Sequence, residues 1–200
     1  MCDSDTRREL FGDARIGVLY SGNFGEAHDF VQILDLARQM RSAPEVHFCF
    51  AVRGNRAASL REAVTSDDIN VSFAGFASIE DLEKRLGSAD IHLVSLKKEW
   101  TGIAVPSKFF GSIAAGRPIL YSGPHDSAIG NWIRKYRLGW IIDPNNIAKT
   151  SHEILEMSSN QIQLKELQEH CHDVYQRVFS REIVMRKWDA ELRALIADQR

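Results

Sequence analysis

Short apolar runs and helical patterns alternate along almost the whole chain. Nearly continuous runs of Val, Ile, Leu, Phe and Tyr are typical of strands covered on both faces, and they occupy residues 15–20, 46–52, 69–74, 90–96, 118–121 and 139–142. Helical patterns lie between and after them, at residues 28–41, 56–64, from 78 onward, 107–115, 126–137, 160–178 and 181–197. This alternation predicts an α/β fold: a Rossmann-like parallel sheet of about six strands with helices on both faces, ending in C-terminal helices.

Polar residues and glycine mark the ends of several predicted helices. The Ser78 hydroxyl can accept a hydrogen bond from the backbone N–H three residues on, and Ser107 and Asp126 are N-cap candidates for the helices that follow them. Gly116 is the C-cap candidate of the helix that Ser107 begins. No internal linker interrupts the pattern, so residues 15–200 are predicted to form a single domain.

The loops after the strands are the predicted ligand-binding edge. In a parallel α/β sheet, ligands bind beyond the carboxyl ends of the strands, near the point where the strand order reverses. This rule selects residues 21–27, 53–56, 75–78, 97–106 and 122–126, which are also the loops richest in Gly, Ser, Asn and Arg.

The first of these loops contains two glycines around two other residues. Gly22 and Gly25 flank Asn23 and Phe24 between a strand and a helix. Glycine permits a close approach of backbone to ligand, and the following helix presents unpaired N–H groups, so the loop can hold a diphosphate. A tight turn without a ligand explains the same residues equally well, and the spacing is not the GxGxxG of nicotinamide enzymes.

Cations and an aromatic side chain follow in the next loops. Arg53 and Arg56 can neutralise a phosphate, or they are solvated surface arginines. Phe76 can stack on a nucleobase, although a half-buried loop aromatic is the commoner case. Lys108 opposes the dipole of the helix that it begins, a cost that a bound anion would offset and that solvent would also relieve. His125 is a candidate polar contact without a catalytic role.

Composition and charge exclude several classes of protein. The 200 residues carry a net charge of −2, which is unlike a nucleic-acid-binding domain or a polybasic membrane-surface domain. Apolar residues make up 44%, enough for a sizeable core, yet no stretch has the ~20 apolar residues of a membrane-spanning helix. The first ten residues lack the apolar segment of a secretory signal.

The cysteines and histidines predict neither disulfides nor a metal site. Cys2, Cys49 and Cys171 are far apart and odd in number, which fits a reducing, cytoplasmic compartment. Of the seven histidines, only His170 and His172 are close, and their spacing places them on different sides of a helix.

The motifs together resemble the C-terminal domain of GT-B-fold glycosyltransferases, in the bacterial polysaccharide branch of the large retaining family 4. The segments that carry the resemblance are YSGNFGEAHDF (20–30), residues 70–96, VPSKFFGSIAAGRPIL (105–120), residues 123–144 and FSREIVMRKWDAELRAL (179–195). It covers the chain from about Arg15 onward, and it implies that residues 1–14 are an inter-domain linker.

The resemblance implies a domain that binds a nucleotide-diphospho-sugar of the UDP or GDP type, without a further cofactor or a metal. Its implied binding residues fall in four groups. On the diphosphate side lie Gly22, Asn23 and Gly25; near phosphate or base lie Arg53 and Arg56; near the base lie Phe76 and Ala77. Ser107 and Lys108 are implied beside the diphosphate and the sugar. The catalytic residues are unassigned.

The chain departs from the family pattern in two respects. Many family-4 enzymes carry two glutamates eight positions apart around the donor-site helix, and Ile103 and Gly111 stand at those positions here. The N-terminal acceptor domain of a GT-B enzyme is absent, so it is expected in cis or in trans, and the isolated chain is expected to be inactive. The last helix would then leave an apolar face around Trp188 that can drive self-association.

The leading hypothesis is therefore the donor domain of a glycosyltransferase that builds a polysaccharide or glycolipid, cytoplasmic or peripheral to the inner membrane. Two alternatives stay open. One is a non-catalytic nucleotide-sugar-binding or scaffolding module, which the missing glutamates favour. The other is a domain of the nucleotide-sugar 2-epimerase type, which shares the architecture but needs carboxylates and histidines in its cleft.

Overall fold

The protein has one six-stranded sheet in which every strand is parallel to its neighbours. The computed structural model describes residues 3–78, 80–145 and 147–197. The strands are β1 (Ile16–Asn23), β2 (Val46–Arg53), β3 (Val71–Phe73), β4 (Ile91–Ser95), β5 (Ile119–Ser122) and β6 (Gly139–Ile141), in the order β3-β2-β1-β4-β5-β6. The order reverses between β1 and β4, which places the expected ligand crevice between their carboxyl ends.

The helices follow the strands in the predicted alternation. They are α1 (Ser4–Phe11), α2 (Val31–Gln39), α3 (Ala57–Ala63), α4 (Leu82–Ser88), α5 (Lys108–Ala114), α6 (Ala128–Tyr136), α7 (Ile147–Ser159), α8 (Gln161–Val174) and α9 (Arg181–Ala197). A single π-helical turn, Tyr175–Phe179, joins α8 to the segment before α9. The α/β class, the parallel sheet of six strands and the C-terminal helices are as the sequence predicts.

Apolar side chains cover both faces of the sheet. Along β1, Val18 and Tyr20 belong to the cluster packed under α2, α3 and α7, whereas Leu19 belongs to a cluster with Leu10 and Phe11 of α1. Successive strand residues point to opposite faces, so this split shows that the central strand is buried on both sides. A third cluster, around Phe109, fills the space between α5, α6 and α8.

Two segments differ from the prediction near the amino terminus. The helix expected at 28–41 spans only Val31–Gln39; its N-cap is Phe30, and just before it the Asp29 carboxylate accepts from the Phe30 and Val31 backbone N–H groups. Within the expected linker, residues 4–11 form α1, which packs on the domain through Leu10 and an ion pair between Arg7 and Asp90. Residues 1 and 2 lie outside the described range.

The capping predictions have mixed outcomes. The Ser78 hydroxyl accepts from the Asp81 backbone N–H at 3.1 Å as predicted, but α4 begins only at Leu82 and Asp81 is its N-cap. Ala115 is the C-cap of α5, and Gly116 is the next residue, with φ +67°. The prediction for Asp126 is wrong, because the neighbouring Ser127 is the N-cap of α6 and its Oγ accepts from Gly130. Ser107 does occupy the N-cap position of α5, but its side chain makes no capping hydrogen bond, so that part of the prediction is wrong.

Candidate functional site

The side chain of Lys108 lies at the crevice between the carboxyl ends of β1 and β4. It extends from the first residue of α5, and its Nζ donates to the Asn23 carbonyl at 3.0 Å and lies 4.9 Å from the centre of the Tyr20 ring. Burial lowers the pKa of Lys108 to about 8. No carboxylate among the described residues forms an ion pair with Lys108, so the site holds a half-buried amine without a counter-charge.

Gly22 provides the space that this lysine occupies. Its φ is +135°, and a Cβ on it would lie 2.6 Å from Lys108 Cε. Any other residue would therefore be strained in its backbone and would collide with the lysine. The sequence placed Gly22, Asn23 and Lys108 on the diphosphate side, and the structure brings these three residues into contact.

The loops after β1 and β2 interlock through their backbones. The Phe24 N–H donates to the Arg53 carbonyl at 2.6 Å, and the Arg56 N–H donates to the Phe24 carbonyl at 3.2 Å. Gly54, with φ +119°, lies so close that a Cβ would be 2.6 Å from Asn23 Oδ1. Glycine at this position was not singled out from the sequence, although it permits the contact that fixes Asn23.

The two arginines lie against aromatic rings. The Arg53 guanidinium carbon lies 4.2 Å from the centre of the exposed Phe76 ring, and that of Arg56 lies 5.8 Å from the Phe30 ring. Arg53 and Phe76 therefore form one flat, cationic surface beside the loop after β3. They are a second group of contacts, apart from the one around Lys108, and Ala77 is half-buried next to them.

A cavity of about 210 Å³, here called the α4–α5 cavity, opens beside Lys108. Its lining residues come from β1, α4, β4 and α5 and include Ser21, Leu82, Leu86, Ser107 and Gly111. A Cβ at Gly111 would meet only Leu86 Cδ1, at 3.9 Å, so the position is open toward the cavity. The leucines were missed in the sequence because only the packing of α4 against α5 places them here.

Two histidines near the site, buried His92 and half-buried His28, are in their neutral form. Burial lowers the pKa of His92 to about 4, and its Nε2 donates to the Leu86 carbonyl at 2.9 Å. Its Nδ1 lies 2.7 Å from Ser112 Oγ, whose hydroxyl donates to the Lys108 carbonyl at 2.8 Å, and these contacts tie β4 to α5. Burial and the nearby Lys108 also lower the pKa of His28 to about 4, and its Nδ1 lies 2.8 Å from the Ser95 carbonyl.

The remaining sequence predictions concern Gly25, metals and membranes. Gly25 lies beside the Asn23 and Asn55 side chains, 3.5 and 3.7 Å from the position of a Cβ. Within residues 3–78, 80–145 and 147–197, no group of three or more His, Cys, Asp or Glu side chains is placed to hold a metal ion. Over the same ranges, no helix combines the length and the apolar character that crossing a bilayer requires.

The model of one protein family, described as Glycosyl transferases group 1, matches residues 3–175. The chain belongs to this family. The predicted likeness to GT-B glycosyltransferases is thereby confirmed, and the assignment to family 4 stays a prediction. Three proteins illustrate the likeness.

The chain is 26% identical over 185 residues to the probable glycosyltransferase WbjE of Pseudomonas aeruginosa, a match that spans 90% of this chain and 45% of WbjE. The solved C-terminal domain of a glycosyl transferase group 1 protein, LpcC of Francisella tularensis, is 13% identical with a TM-score of 0.64, over 90% of this chain and 96% of that domain. A mutant of S. aureus TarM, solved in a complex that contains UDP, is 14% identical with a TM-score of 0.69, over 88% of this chain and 35% of TarM.

This chain therefore corresponds to less than half of a longer relative and to almost the whole of an isolated glycosyltransferase domain. The structural likenesses, at these identities, show a shared fold.

Proposed function

We propose that this chain is the donor-binding domain of a glycosyltransferase and that it holds a nucleoside-diphosphate sugar at Lys108. The observation that carries the proposal is the half-buried amine of Lys108, which lies at the carboxyl edge of the sheet, donates to the Asn23 carbonyl and forms no ion pair with a carboxylate among the described residues. Keeping an ammonium out of water is costly unless an anion compensates it. A diphosphate supplies that charge.

The neighbouring groups fit the rest of such a ligand. Gly22 and Asn23 hold the Lys108 side chain at the sheet edge where a diphosphate would bind, Gly25 lies in the same loop, and Ser107 lies beside Lys108 on the wall of the α4–α5 cavity. The cavity is mainly apolar, so the apolar face of the nucleoside would enter there, whereas Arg53 on the Phe76 ring offers a separate cationic surface. UDP in the complex of TarM supports a uridine nucleotide as the first candidate.

The chemistry of transfer gives Lys108 a reason to be cationic. When the glycosidic bond to the nucleotide breaks, negative charge grows on the departing diphosphate. A preplaced cation stabilises that charge more in the transition state than in the bound substrate, and so lowers the barrier. Lys108 would do this from the protein side without a metal, while the sugar becomes oxocarbenium-like.

Transfer to a polysaccharide or glycolipid requires an acceptor domain, which we infer is supplied in cis or in trans. The length of WbjE, of which this chain matches 45%, supports that inference. The exposed apolar face of α9, with Trp188 and Leu192, is available for the second domain or for self-association. The buried free thiols of Cys49 and Cys171 support a cytoplasmic location, and attachment to the inner face of the membrane would follow from the acceptor.

One observation favours a second candidate, a non-catalytic nucleotide-sugar-binding module. Neither position of the family's glutamate pair carries a carboxylate: Ile103 is 74% exposed, and Gly111 opens onto the α4–α5 cavity. The module would bind the nucleotide as proposed but would lack catalytic power even when an acceptor domain is added.

Isothermal titration of the chain with UDP, GDP, TDP and ADP tests the binding proposal. At least one should bind, and more tightly than its monophosphate, because the second phosphate reaches Lys108. Lys108→Met should weaken binding about tenfold or more, since it removes a charge-assisted contact. Lys165→Met, on the exposed face of α8, is the matched control and should leave the affinity unchanged.

No heat with any of the four nucleotides, or equal binding by Lys108→Met, would reject the proposal. Transfer of sugar by this chain alone would reject the inference that a second domain is required.

A further inference from the structure

The side chain of Tyr20, on β1, contacts Lys108 in two ways. Lys108 Nζ lies over the Tyr20 ring, 4.9 Å from its centre. The Tyr20 hydroxyl donates to the Asn23 carbonyl at 3.3 Å, and the same carbonyl accepts from Lys108 Nζ at 3.0 Å. Tyr20 is therefore linked to the amine once through the face of its ring and once through a shared carbonyl.

Neighbouring rings hold the Tyr20 ring in place. Tyr20 is fully buried, and its ring meets the Phe24 ring edge to face with the centres 5.1 Å apart. The His28 ring is also edge to face, at 6.0 Å, and the Phe50 ring is stacked at 6.4 Å. Aromatic pairs at these distances are favourable, and a packed core keeps its side chains in fixed rotamers. The ring therefore presents a fixed face to Lys108.

The titratable groups around the Lys108 amine carry no charge at neutral pH. Burial raises the pKa of the Tyr20 hydroxyl, so Tyr20 is a phenol and not a phenolate. Burial lowers the pKa of His28 to about 4, and it lowers that of His92, on the wall of the α4–α5 cavity, to about 4 as well. No carboxylate of the described residues forms an ion pair with Lys108. The partners that the ammonium has, the ring face and the Asn23 carbonyl, are both neutral.

Neutral partners can orient an ammonium without cancelling its charge. An ammonium has three N–H donors, of which the Asn23 carbonyl takes one. The electron-rich face of the Tyr20 ring attracts the ammonium electrostatically. A carboxylate in the same place would compete with a phosphate for the cation, whereas a ring and a carbonyl leave the charge available. This geometry fits a cation that is held in position for an anionic ligand.

We propose that Tyr20 is a positioning residue, whose ring holds the Lys108 ammonium at the sheet edge both before and after a nucleoside diphosphate binds. The role in nucleotide binding rests on the proposed function, but the ring contact is already present in the free chain. Tyr20 acts through Lys108, because its own side chain is fully buried. Withdrawing electron density from the ring should therefore destabilise the ammonium form of Lys108, whether or not a nucleotide is bound.

The test varies the electron density of the ring and keeps its shape. Tyr20→Phe retains the ring without the hydroxyl, and versions of this variant with one, two or three ring fluorines progressively withdraw electron density from the face. NMR of ¹³C-labelled lysine side chains follows the Lys108 titration in the free chain, and Lys108→Met identifies the signal. Tyr20→Phe should leave the midpoint within about half a pH unit of the native value. Three fluorines should lower it by about one pH unit, a tenfold change in the protonation equilibrium.

The matched control carries the same fluorinated rings in place of Phe48, which is equally buried and belongs to the same core cluster as Tyr20. These control variants should leave the Lys108 midpoint unchanged. A midpoint that does not respond to fluorines at Tyr20 would overturn the proposal. A midpoint that Tyr20→Phe lowers as far as three fluorines do would also overturn it, because the hydroxyl would then hold Lys108.

UDP titration of the same variants tests whether the contact persists in the complex. If the ammonium stays on the ring, fluorines weaken the free and the bound cation equally, so the affinity at about pH 6 should not change. At about pH 9 most of the free chain must gain a proton at Lys108 to bind, so three fluorines should weaken UDP binding about tenfold.

An affinity that rises at the lower pH and is unchanged at the higher pH would mean that the ammonium leaves the ring on binding, which contradicts the proposal. Absence of UDP binding by every variant would reject the donor function alone, since the titration of the free chain would still decide the role of Tyr20.

Discussion

The protonation of Lys108 can be used to test the site, because its charge should change the affinity for a nucleotide. Its folded-state pKa of about 8 lies below its ordinary value of 10.5, because burial disfavours the ammonium. A bound diphosphate favours the ammonium, so binding should raise the pKa again. Nucleotide affinity and proton uptake by this one residue are therefore linked.

The first prediction is that UDP affinity falls as the pH rises through about 8. Below that pH the free protein already carries the proton, and affinity should be constant. Above it, the protein must take up a proton to bind, so affinity should fall by up to about tenfold per pH unit. Calorimetry in buffers of different ionisation enthalpy measures both the affinity and the proton uptake.

Lys108→Arg is the control, because a guanidinium stays charged over this range and should give a flat profile. An affinity of the native protein that is independent of pH would show that Lys108 does not carry the interaction.

The second prediction concerns Gly22→Ala, which should destabilise the fold by about 1–3 kcal/mol and also weaken UDP binding. The new methyl group would lie 2.6 Å from Lys108 Cε, on a backbone with φ +135°. Gly75→Ala is the matched control, since a Cβ there meets nothing within 4 Å. Urea denaturation measures the difference, and equal stability of the two variants would contradict the account of the Gly22 contact.

For single residues, the sequence was sufficient where the position depends only on the end of one strand or the start of one helix. Gly22 and Asn23 follow the predicted strand 15–20 and end β1 in the structure, and Lys108 begins a helix, so the rule for parallel sheets was sufficient to bring them together. Leu86 and Gly111 could not be predicted as neighbours, because their contact depends on how α4 packs against α5.

At the scale of single elements, the start of α6 shows where local patterns become ambiguous. Asp126 and Ser127 are both good N-cap residues, and they are adjacent, so residue type alone does not choose between them. Tertiary contacts select Ser127 as the N-cap. Its Oγ lies 2.9 Å from the Tyr121 hydroxyl and also donates to the Pro124 carbonyl. Strands were easier to predict, since their apolar runs reflect burial on both faces.

The third prediction follows from that contact. Ser127→Ala should lower the free energy of unfolding by about 1–2 kcal/mol, because it removes the cap of α6 and a buried partner of Tyr121. Asp126→Ala should change it by less than about 0.5 kcal/mol. Thermal and urea unfolding of both variants provide the comparison. A larger loss for Asp126→Ala would restore the cap assigned from the sequence.

The fourth prediction concerns the connection between α2 and the loop before β3. Asp68 is buried and accepts hydrogen bonds from Arg38 and Arg41, and these hold the pKa of its carboxyl well below the ordinary value of 3.8. The stabilisation is fully present above pH 3.8 and is lost as the pH falls toward the folded-state pKa.

Asp68→Asn should therefore cost about 3 kcal/mol at neutral pH and reduce the loss of stability in acid. Asp67→Asn, on the exposed neighbouring residue, is the control and should behave like the native protein. Urea unfolding midpoints at neutral and acidic pH measure both effects. An unchanged acid profile for Asp68→Asn would mean that other carboxylates dominate the response.

For the whole molecule, the notable feature is helix α9, whose apolar side chains are not packed against the rest of the described domain. The helix has no buried residue among those described, and Met185, Trp188, Leu192 and Leu195 are each more than half exposed. Its spacing predicted an apolar stripe, and the structure shows that no element of this domain buries that stripe. A contiguous apolar face of this kind marks an interaction surface.

The fifth prediction is that Trp188→Gln combined with Leu192→Gln leaves the fold intact and reduces self-association. Both side chains are exposed, so the melting temperature should shift by no more than about 2 °C. Sedimentation velocity should show the native chain growing in mass with concentration and the variant remaining near 22.6 kDa. A native chain that stays monomeric would assign the surface to a second domain.

The two outermost strands limit how such molecules can aggregate. β3 and β6 have three residues each, so every open border of the sheet presents only a few unpaired backbone groups. A border this short is a poor template for adding another chain, which protects this parallel fold from forming fibrils. The apolar face of α9 can therefore stay exposed at high concentration without promoting fibrils. Any assemblies that it forms should be discrete and reversible rather than extended β-structure.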